Sequence, residues 1–321
     1  MMSDVALQLK QFGKIKLNEP MSKHTTFQIG GTVDYFVVVE NLDNLLRLLQ
    51  YVDDEGIPRM ILGGGSNVLW QDDRFEGVVI QMKNSEFRML NMGVECSAGA
   101  KMKEVSQATV EAGLTGFTWA IGVPGTIAGA LRGNAAYNGI AMEDSVEKVE
   151  VYRDGEVLEL SNAECEFGYK ESVFKNNLDV ILRIWLKLEK GDKAVLAKEA
   201  MENTAYRDKS QPHGFGSAGC TFKNVVVASP EMKALAEKID DERVQDVYKK
   251  FGKIPVGRLI DLVEMKGVKH GGAMISDVHA NFILNMGHAT AEDVKFLIEQ
   301  VKEKVYDRYG VALEEEICVV R

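Results

Sequence analysis

Three consecutive glycines at the end of a short apolar run restrict what this chain can become. Arg59-Met60-Ile61-Leu62 has the length and character of a buried strand, and it runs directly into Gly63-Gly64-Gly65-Ser66-Asn67. With no side chains in the way, such a turn brings backbone N–H groups close to a phosphate, and Ser66 adds a hydroxyl donor. The cluster is not Gly-x-Gly-x-x-Gly opening a helix, and no Gly-Lys-Ser/Thr follows it, so it fits neither the usual dinucleotide fingerprint nor a P-loop. A plain structural turn is the alternative for glycines considered alone.

A second stretch of the same physical character lies downstream, Ala120-Ile121-Gly122-Val123-Pro124-Gly125-Thr126-Ile127-Ala128-Gly129-Ala130. Two such loops suit the clamping of one pyrophosphate, with Thr126 as a hydroxyl partner; the alternative is a tightly packed helix start with Pro124 near its first turn. Leu42, Leu45, Leu46 and Leu49 fall at helical spacing, and Gly56-Ile57-Pro58 closes that helix before the strand at 59–62. Val105, Ala108, Val110 and Ala112 predict another helix, stopped by Gly113. Two strand-like runs, 149–153 and 156–160, flank Asp154-Gly155, the favoured two-residue hairpin turn, so antiparallel strands join the chain and the fold class is α+β. A helix starting at Thr290, with Asp293 placed for a capping box, buries Val294, Leu297, Ile298, Val301 and Val305 and ends at Gly310; a strand at 317–320 closes the chain.

The 321 residues are enough for more than one compact unit, and a Gly/Ser-rich passage, 214–219, marks a boundary near Lys209. A net charge of −10 argues against a general nucleic-acid or acidic-membrane surface. No apolar segment is long enough to span a bilayer and Met1-Met2-Ser3-Asp4-Val5 is not a secretory leader, so a cytoplasmic protein is expected. Cys96, Cys165, Cys220 and Cys318 form no C-x-x-C pair and the five histidines are scattered, which suggests neither disulfides nor a metal site.

One ordered series of motifs goes further. It comprises Thr25-Thr26-Phe27-Gln28-Ile29-Gly30-Gly31, Leu62 to Asn67, Gly122-Val123-Pro124-Gly125-Thr126, Asn134-Ala135, Gly168-Tyr169-Lys170-Glu171-Ser172-Val173-Phe174, Ser217-Ala218-Gly219-Cys220-Thr221-Phe222-Lys223-Asn224, His279-Ala280-Asn281-Phe282, and Leu313-x-x-Glu316-Ile317. In order and character the series resembles the UDP-N-acetylenolpyruvoylglucosamine reductase (UDP-N-acetylmuramate dehydrogenase) family along nearly the whole chain. The resemblance implies a two-subdomain flavin fold of the PCMH/vanillyl-alcohol-oxidase type plus a C-terminal α+β substrate domain. The corresponding division is 1–84 and 85–208 for the flavin subdomains, the second joined by a C-terminal strand at 311–321, and 209–310 for the substrate domain. It also implies non-covalent FAD, NADPH as reductant, a UDP-sugar substrate of peptidoglycan-precursor synthesis, and a monomer or weak dimer. The short interval from Tyr169 to Cys220 resembles the branch that lacks an inserted loop.

Site roles follow from the same resemblance. Gly63, Gly64, Gly65, Ser66, Asn67, Gly122, Pro124, Gly125, Thr126, Gly129 and Asn134 would hold the cofactor, with Tyr137 as an aromatic near the flavin or uracil. Tyr169, Lys209, Lys223, Asn224 and His279 would bind substrate, and Arg207 joins Lys209 and Lys223 as local cations for diphosphate groups. Cys220 takes the position, commonly serine, that protonates the enol intermediate; a thiol is more acidic than a hydroxyl and can serve. Glu316 matches the catalytic carboxylate, although it also belongs to the acidic trio Glu314-Glu315-Glu316. Lys170 replaces the usual arginine, keeping its charge and losing its bidentate geometry, with Arg132 as a cation that would share the task. Two other readings stay open: an oxygen-using flavin oxidase on the same scaffold, against which stands the lack of a histidine or cysteine beside either glycine loop in sequence, and a degenerate nucleotide-sugar binder.

Overall fold

A computed structural model describes residues 4–320. The leucine stripe forms the helix Leu42–Asp54, whose N-cap Asn41 accepts the Asn44 N–H at 2.8 Å and whose buried face is Leu45, Leu48, Leu49 and Val52. Arg59–Leu62 follows as an edge strand of a four-stranded sheet ordered Lys14–Pro20, Thr32–Val39, Phe75–Met82, Arg59–Leu62. The last three strands are parallel, pairing Val37 and Ile61 with Ile80. Val78 and Ile80 are fully buried, as a parallel strand covered on both faces requires.

A second sheet of five antiparallel strands runs in the order Glu156–Ser161, Val146–Arg153, Val180–Lys187, Gly93–Ser97, Phe87–Leu90. Its hairpin turns at Asp154 and Gly155 with φ of 50° and 87°, the two left-handed residues of a type I′ turn. The helix Met102–Glu111 packs Met102, Val105 and Val110 inward, and Gly113 leaves it at φ 71°.

The contacts of the chain separate two compact units, one of residues up to Glu19, Thr32–Gly64 and Arg74–Lys209, the other of Pro20–Gly31, Gly65–Asp73 and the residues from Ser210 onward. Both sheets above belong to the first unit. The second unit is built around the helix Ala291–Tyr309, which has the capping box of Thr290 and Asp293 and a left-handed Gly310 at its end. Against it lie Ala273–Ile275 and Ile283–Asn285, and Val294, Leu297, Ile298 and Val301 form its core with Leu259, Ile275 and Ile283.

The C-terminal strand departs from expectation. Cys318–Val320 pairs in parallel with Val68–Trp70, and both belong to the second unit, so the strand does not join residues 85–208. An apolar run announces a strand and leaves its partner open; Leu69 and Ile317, both buried in the second core, decide the partner here.

Candidate active site

The two glycine loops meet within the first unit. A Cβ built on Gly64 would stand 2.8 Å from the Gly125 Cα, and one on Gly63 would stand 2.7 Å from the Thr126 Oγ1. Glycine is therefore required at 64, where the neighbour is backbone, and favoured at 63, where it is a hydroxyl, before any ligand is considered. Gly64, Gly122, Pro124 and Gly129 are exposed, and Gly122 and Gly125 take left-handed φ of 77° and 102°. The result is a glycine-rich, partly exposed backbone surface, the kind of turn that admits a pyrophosphate. Thr126 caps the helix Ile127–Arg132, accepting the Gly129 N–H at 3.2 Å, so the stretch is a glycine loop and a helix start at once.

Arg207 is the cation at this loop. A Cβ on Gly122 would lie 3.1 Å from its Cδ, and its guanidinium stands 4.3 Å from the Tyr137 ring centroid. Lys209, at the end of the same helix Lys193–Ser210, is exposed.

Gly65 and Asn67 belong to the second unit. Gly65, at φ 63°, accepts the Thr26 N–H at 3.0 Å, and a Cβ there would meet the His24 carbonyl oxygen at 2.1 Å. A histidine thus adjoins this loop in space, through its backbone. Asn67 donates from Nδ2 to the Glu316 carbonyl at 3.0 Å, and its own carbonyl accepts the Cys318 N–H at 2.9 Å. Ser66 is half-buried.

Tyr169 and Lys170 are the central residues of a tight turn. Gly168 and Glu171 exchange both backbone hydrogen bonds at 3.0 Å, and Lys170 sits at φ 59°, a left-handed conformation uncommon for a residue with a side chain. The turn is held from outside. Lys175 Nζ donates to the Lys170 carbonyl at 2.6 Å, and Asn134 Nδ2 donates to the Gly168 carbonyl at 2.8 Å. Asn134 is 1% exposed and its Oδ1 accepts the Glu143 N–H at 3.1 Å, so both ends of its amide bind the chain and hold the Tyr169-Lys170 turn.

In the second unit, positions far apart in sequence come together. Cys220 forms an antiparallel bridge with Phe282 and Phe222 one with Glu315, while the Glu316 N–H donates to the Thr221 carbonyl at 2.7 Å. Cys220 and Glu316 therefore flank one hydrogen bond. Cys220 is half-buried against the cluster of Met274, Phe282 and Leu284. Glu315 is paired with Lys302 at 2.7 Å and Glu314 with Lys223, whose side chain is only 6% exposed; the acidic trio is thus not a uniformly solvated run. Asn224 Oδ1 accepts the Val256 N–H at 3.1 Å, a cap on the helix Val256–Leu262. His279 packs edge-on against Phe282 at 5.0 Å between ring centroids and accepts the Asn281 N–H on Nδ1 at 3.2 Å. Burial lowers its pKa and favours the neutral ring, with the remaining proton on Nε2.

Cys96 and Cys165 are fully buried, and burial pushes their thiols up to about 12 and about 11, which makes both inert. Among the described residues no group of three or more histidine, cysteine or acidic side chains is arranged for a metal, and no helix is long and apolar enough to cross a membrane. A cavity of about 740 Å³ lined by Asp53, Arg59, Tyr152, Arg153 and Asp179 among others contains none of the candidate residues, and both its arginines are paired within it: Arg59 with Asp53 at 2.7 Å, Arg153 with Asp179 at 2.6 Å.

Residues 33–161 match the family model described as FAD binding domain, and residues 211–320 match that of the UDP-N-acetylenolpyruvoylglucosamine reductase C-terminal domain. The chain is 36% identical to the UDP-N-acetylenolpyruvoylglucosamine reductase of Caldanaerobacter subterraneus subsp. tengcongensis, over 99% of this chain and 97% of that one. It belongs to the UDP-N-acetylenolpyruvoylglucosamine reductase family. The Clostridioides difficile reductase is 34% identical over 95% of this chain and 93% of its own. The crystal structure of the Thermus caldophilus reductase superposes with a TM-score of 0.74 at 30% identity, covering 96% of this chain and 98% of that one. The fold is accordingly an α+β FAD-binding domain followed by the C-terminal domain of these reductases.

One role escaped the sequence. Thr26 lies in a quoted motif with no task assigned, yet its hydroxyl donates to the Ser217 carbonyl at 2.7 Å and its N–H to Gly65, tying the first motif to the Gly/Ser-rich passage before Cys220. Two adjacent threonines before an aromatic are a weak local signal for such a tie, because hydroxyls bond nearby backbone in many settings.

Proposed function

We propose that this chain reduces UDP-N-acetylglucosamine enolpyruvate to UDP-N-acetylmuramate in the cytoplasm, using FAD and NADPH, as the branch of its family with no inserted loop between Tyr169 and Cys220. The observation that carries the reading is the register in the second unit that bonds the Glu316 N–H to Thr221, the residue next to Cys220, while the first unit supplies a glycine-rich cradle. When bound, the flavin supplies hydride transfer from a nicotinamide to the substrate double bond. The chain supplies the rest. Gly63, Gly64 and the 122–129 loop receive the pyrophosphate, with Arg207 as its neighbouring cation. Hydride addition to an enolpyruvyl group leaves negative charge on the carbon beside the carboxylate. Lys170, presented by its held turn, stabilises that charge; Cys220 Sγ delivers the proton to the carbon, and Glu316 orients the substrate carboxyl end. Lys223 and Asn224 serve the diphosphate and sugar side.

Purified protein should be yellow, bleach anaerobically with NADPH, and regain its colour on addition of the enolpyruvyl substrate. Recovery with oxygen alone would sink the reading. Lys170→Ala should leave flavin reduction by NADPH within about twofold and slow flavin reoxidation by substrate at least ~10-fold, about 1.4 kcal/mol of barrier. Lys170→Arg should speed reoxidation, since a guanidinium bridges carboxylate and oxyanion together. Stopped-flow traces of the two half-reactions decide it, and equal losses in both remove the role.

A further inference from the structure

Cys220 and Glu316 are brought together through the short extended strand 220–223, while Asn67 Nδ2 also holds the Glu316 carbonyl at 3.0 Å. On one edge of that strand the Thr221 carbonyl accepts the Glu316 N–H at 2.7 Å and the Lys223 N–H donates to the Glu314 carbonyl at 2.9 Å. On the opposite edge Cys220 bridges Phe282, and Asn281 beside it holds Thr221 and Phe222. Asn281 accepts the Thr221 N–H on its carbonyl at 2.7 Å and the Phe222 N–H on Oδ1 at 3.0 Å, and it donates from Nδ2 to the Phe222 carbonyl at 2.8 Å. Asn281 is 3% exposed and Phe222 1% exposed, so water has little access to replace these bonds. A side-chain amide sets a donor beside an acceptor as a peptide group does, and here it extends the Cys220–Phe282 pairing by one residue. Its neighbours Ala280, Phe282, Ile283 and Leu284 are buried and apolar, which leaves this polar side chain with a partner to find and a matching backbone beside it.

We infer that Asn281 is a positioning residue: its amide fixes strand 220–223 and thereby sets Cys220 and Glu316 in the mutual placement that proton delivery needs. This rests on the proposed function for the roles of Cys220 and Glu316; the clamp itself rests on the hydrogen bonds. A substitution that spoils one bond of the pair should let the strand shift and leave the first unit, with its cradle, as it was.

Asn281→Asp is the most informative change. It keeps the acceptor for the Phe222 N–H, and when ionised it sets an oxygen against the Phe222 carbonyl. When protonated it restores the donor, and burial raises the pKa of such a carboxyl toward the working range. At pH 8 the variant should reoxidise with substrate at least ~10-fold more slowly than wild type while NADPH reduces the flavin within about twofold. The ratio of variant to wild-type rate should climb as pH falls. Cys220, His279, Glu314, Glu315, Glu316, Lys223 and Lys302, the titratable groups around the strand, are common to both proteins, so the ratio isolates what the new carboxyl adds, directly or through its charge. A second readout needs no turnover: alkylation of Cys220 by iodoacetamide, mapped by mass spectrometry on apoprotein, should accelerate in the variant at pH 8 and return toward wild type on acidification. Should Asn281→Asp fail to fold, Asn281→Gln keeps both groups one methylene farther out and is expected to show the same loss confined to reoxidation. Asn285→Ser is the comparison substitution: it removes another buried side-chain amide of this unit, one whose Nδ2 holds the Phe27 carbonyl at 3.0 Å and makes no bond to residues 220–223. A control that separates the half-reactions as strongly, an equal loss in both half-reactions, or a ratio flat with pH would overturn the inference. If wild type itself fails to reduce the enolpyruvyl compound, the proposed function falls, and Cys220 alkylation still decides the clamp: unchanged rates overturn it.

Discussion

Gly64→Val should purify colourless. The Cβ alone would sit 2.8 Å from the Gly125 Cα, closer than real carbon contacts come, and both partners are backbone, so no side chain can swing aside. The two glycine loops must part, and the branched valine methyls then occupy the exposed face where the cradle is open. Overpacking of this kind costs about 1–3 kcal/mol of stability, which a unit with so extensive a core withstands, so the expected outcome is folded apoprotein with a normal far-ultraviolet spectrum. Gly63→Ala is milder, because its Cβ meets the Thr126 hydroxyl at 2.7 Å, and a hydroxyl can rotate at the expense of the cap on Gly129. Absorbance at the flavin band relative to protein measures both. A fully yellow Gly64→Val would remove the first loop from the cofactor site.

Cys220→Ala is expected to lower turnover at least ~10²-fold, the usual scale for losing a positioned acid, with flavin reduction by NADPH unchanged. The thiol lies beside Gly219, at φ 80°, and against Met274, Phe282 and Leu284, an apolar wall on one side with a left-handed glycine on the other. Cys220→Ser should retain activity, because a hydroxyl can carry the same proton. Alkylation gives an independent check. Cys96 and Cys165 are fully buried and should not react, so modification of the wild-type protein should fall on the half-buried Cys220 and Cys318, and its Cys220 share should track the loss of turnover. An alanine variant with full activity would eliminate Cys220 as the acid and leave Glu316, or a water it holds, as the donor.

Much of the fold was legible in the residues alone. Leucines at helical spacing ahead of Gly56-Ile57-Pro58 specified the helix Leu42–Asp54, and Asp154-Gly155 specified a type I′ turn, because local sterics admit few alternatives to such patterns. Thr290, Asp293 and Gly310 marked both ends of the last helix through their own side-chain and backbone preferences. The glycine loops and the Cys220 and Glu316 motifs were visible as strings, and their roles came from resemblance.

What no string contained was which groups face one another. Asn134 reads as a loop polar residue beside a cofactor motif, and only folding shows its amide spent on Gly168 and Glu143. Asn281 reads as one polar residue in an apolar run, and its clamp on Phe222 spans |i−j| = 59 along the chain. The last strand announced itself by apolar residues and found Val68–Trp70, a partner on another segment. Periodicity and turn chemistry act over a few residues, so sequence determined the helices, the hairpin and the glycine loops. Pairing of buried donors with acceptors is settled by whatever the collapsed chain brings within 3 Å or so, and tertiary structure alone decided which polar side chains hold the site and which are left to act in it.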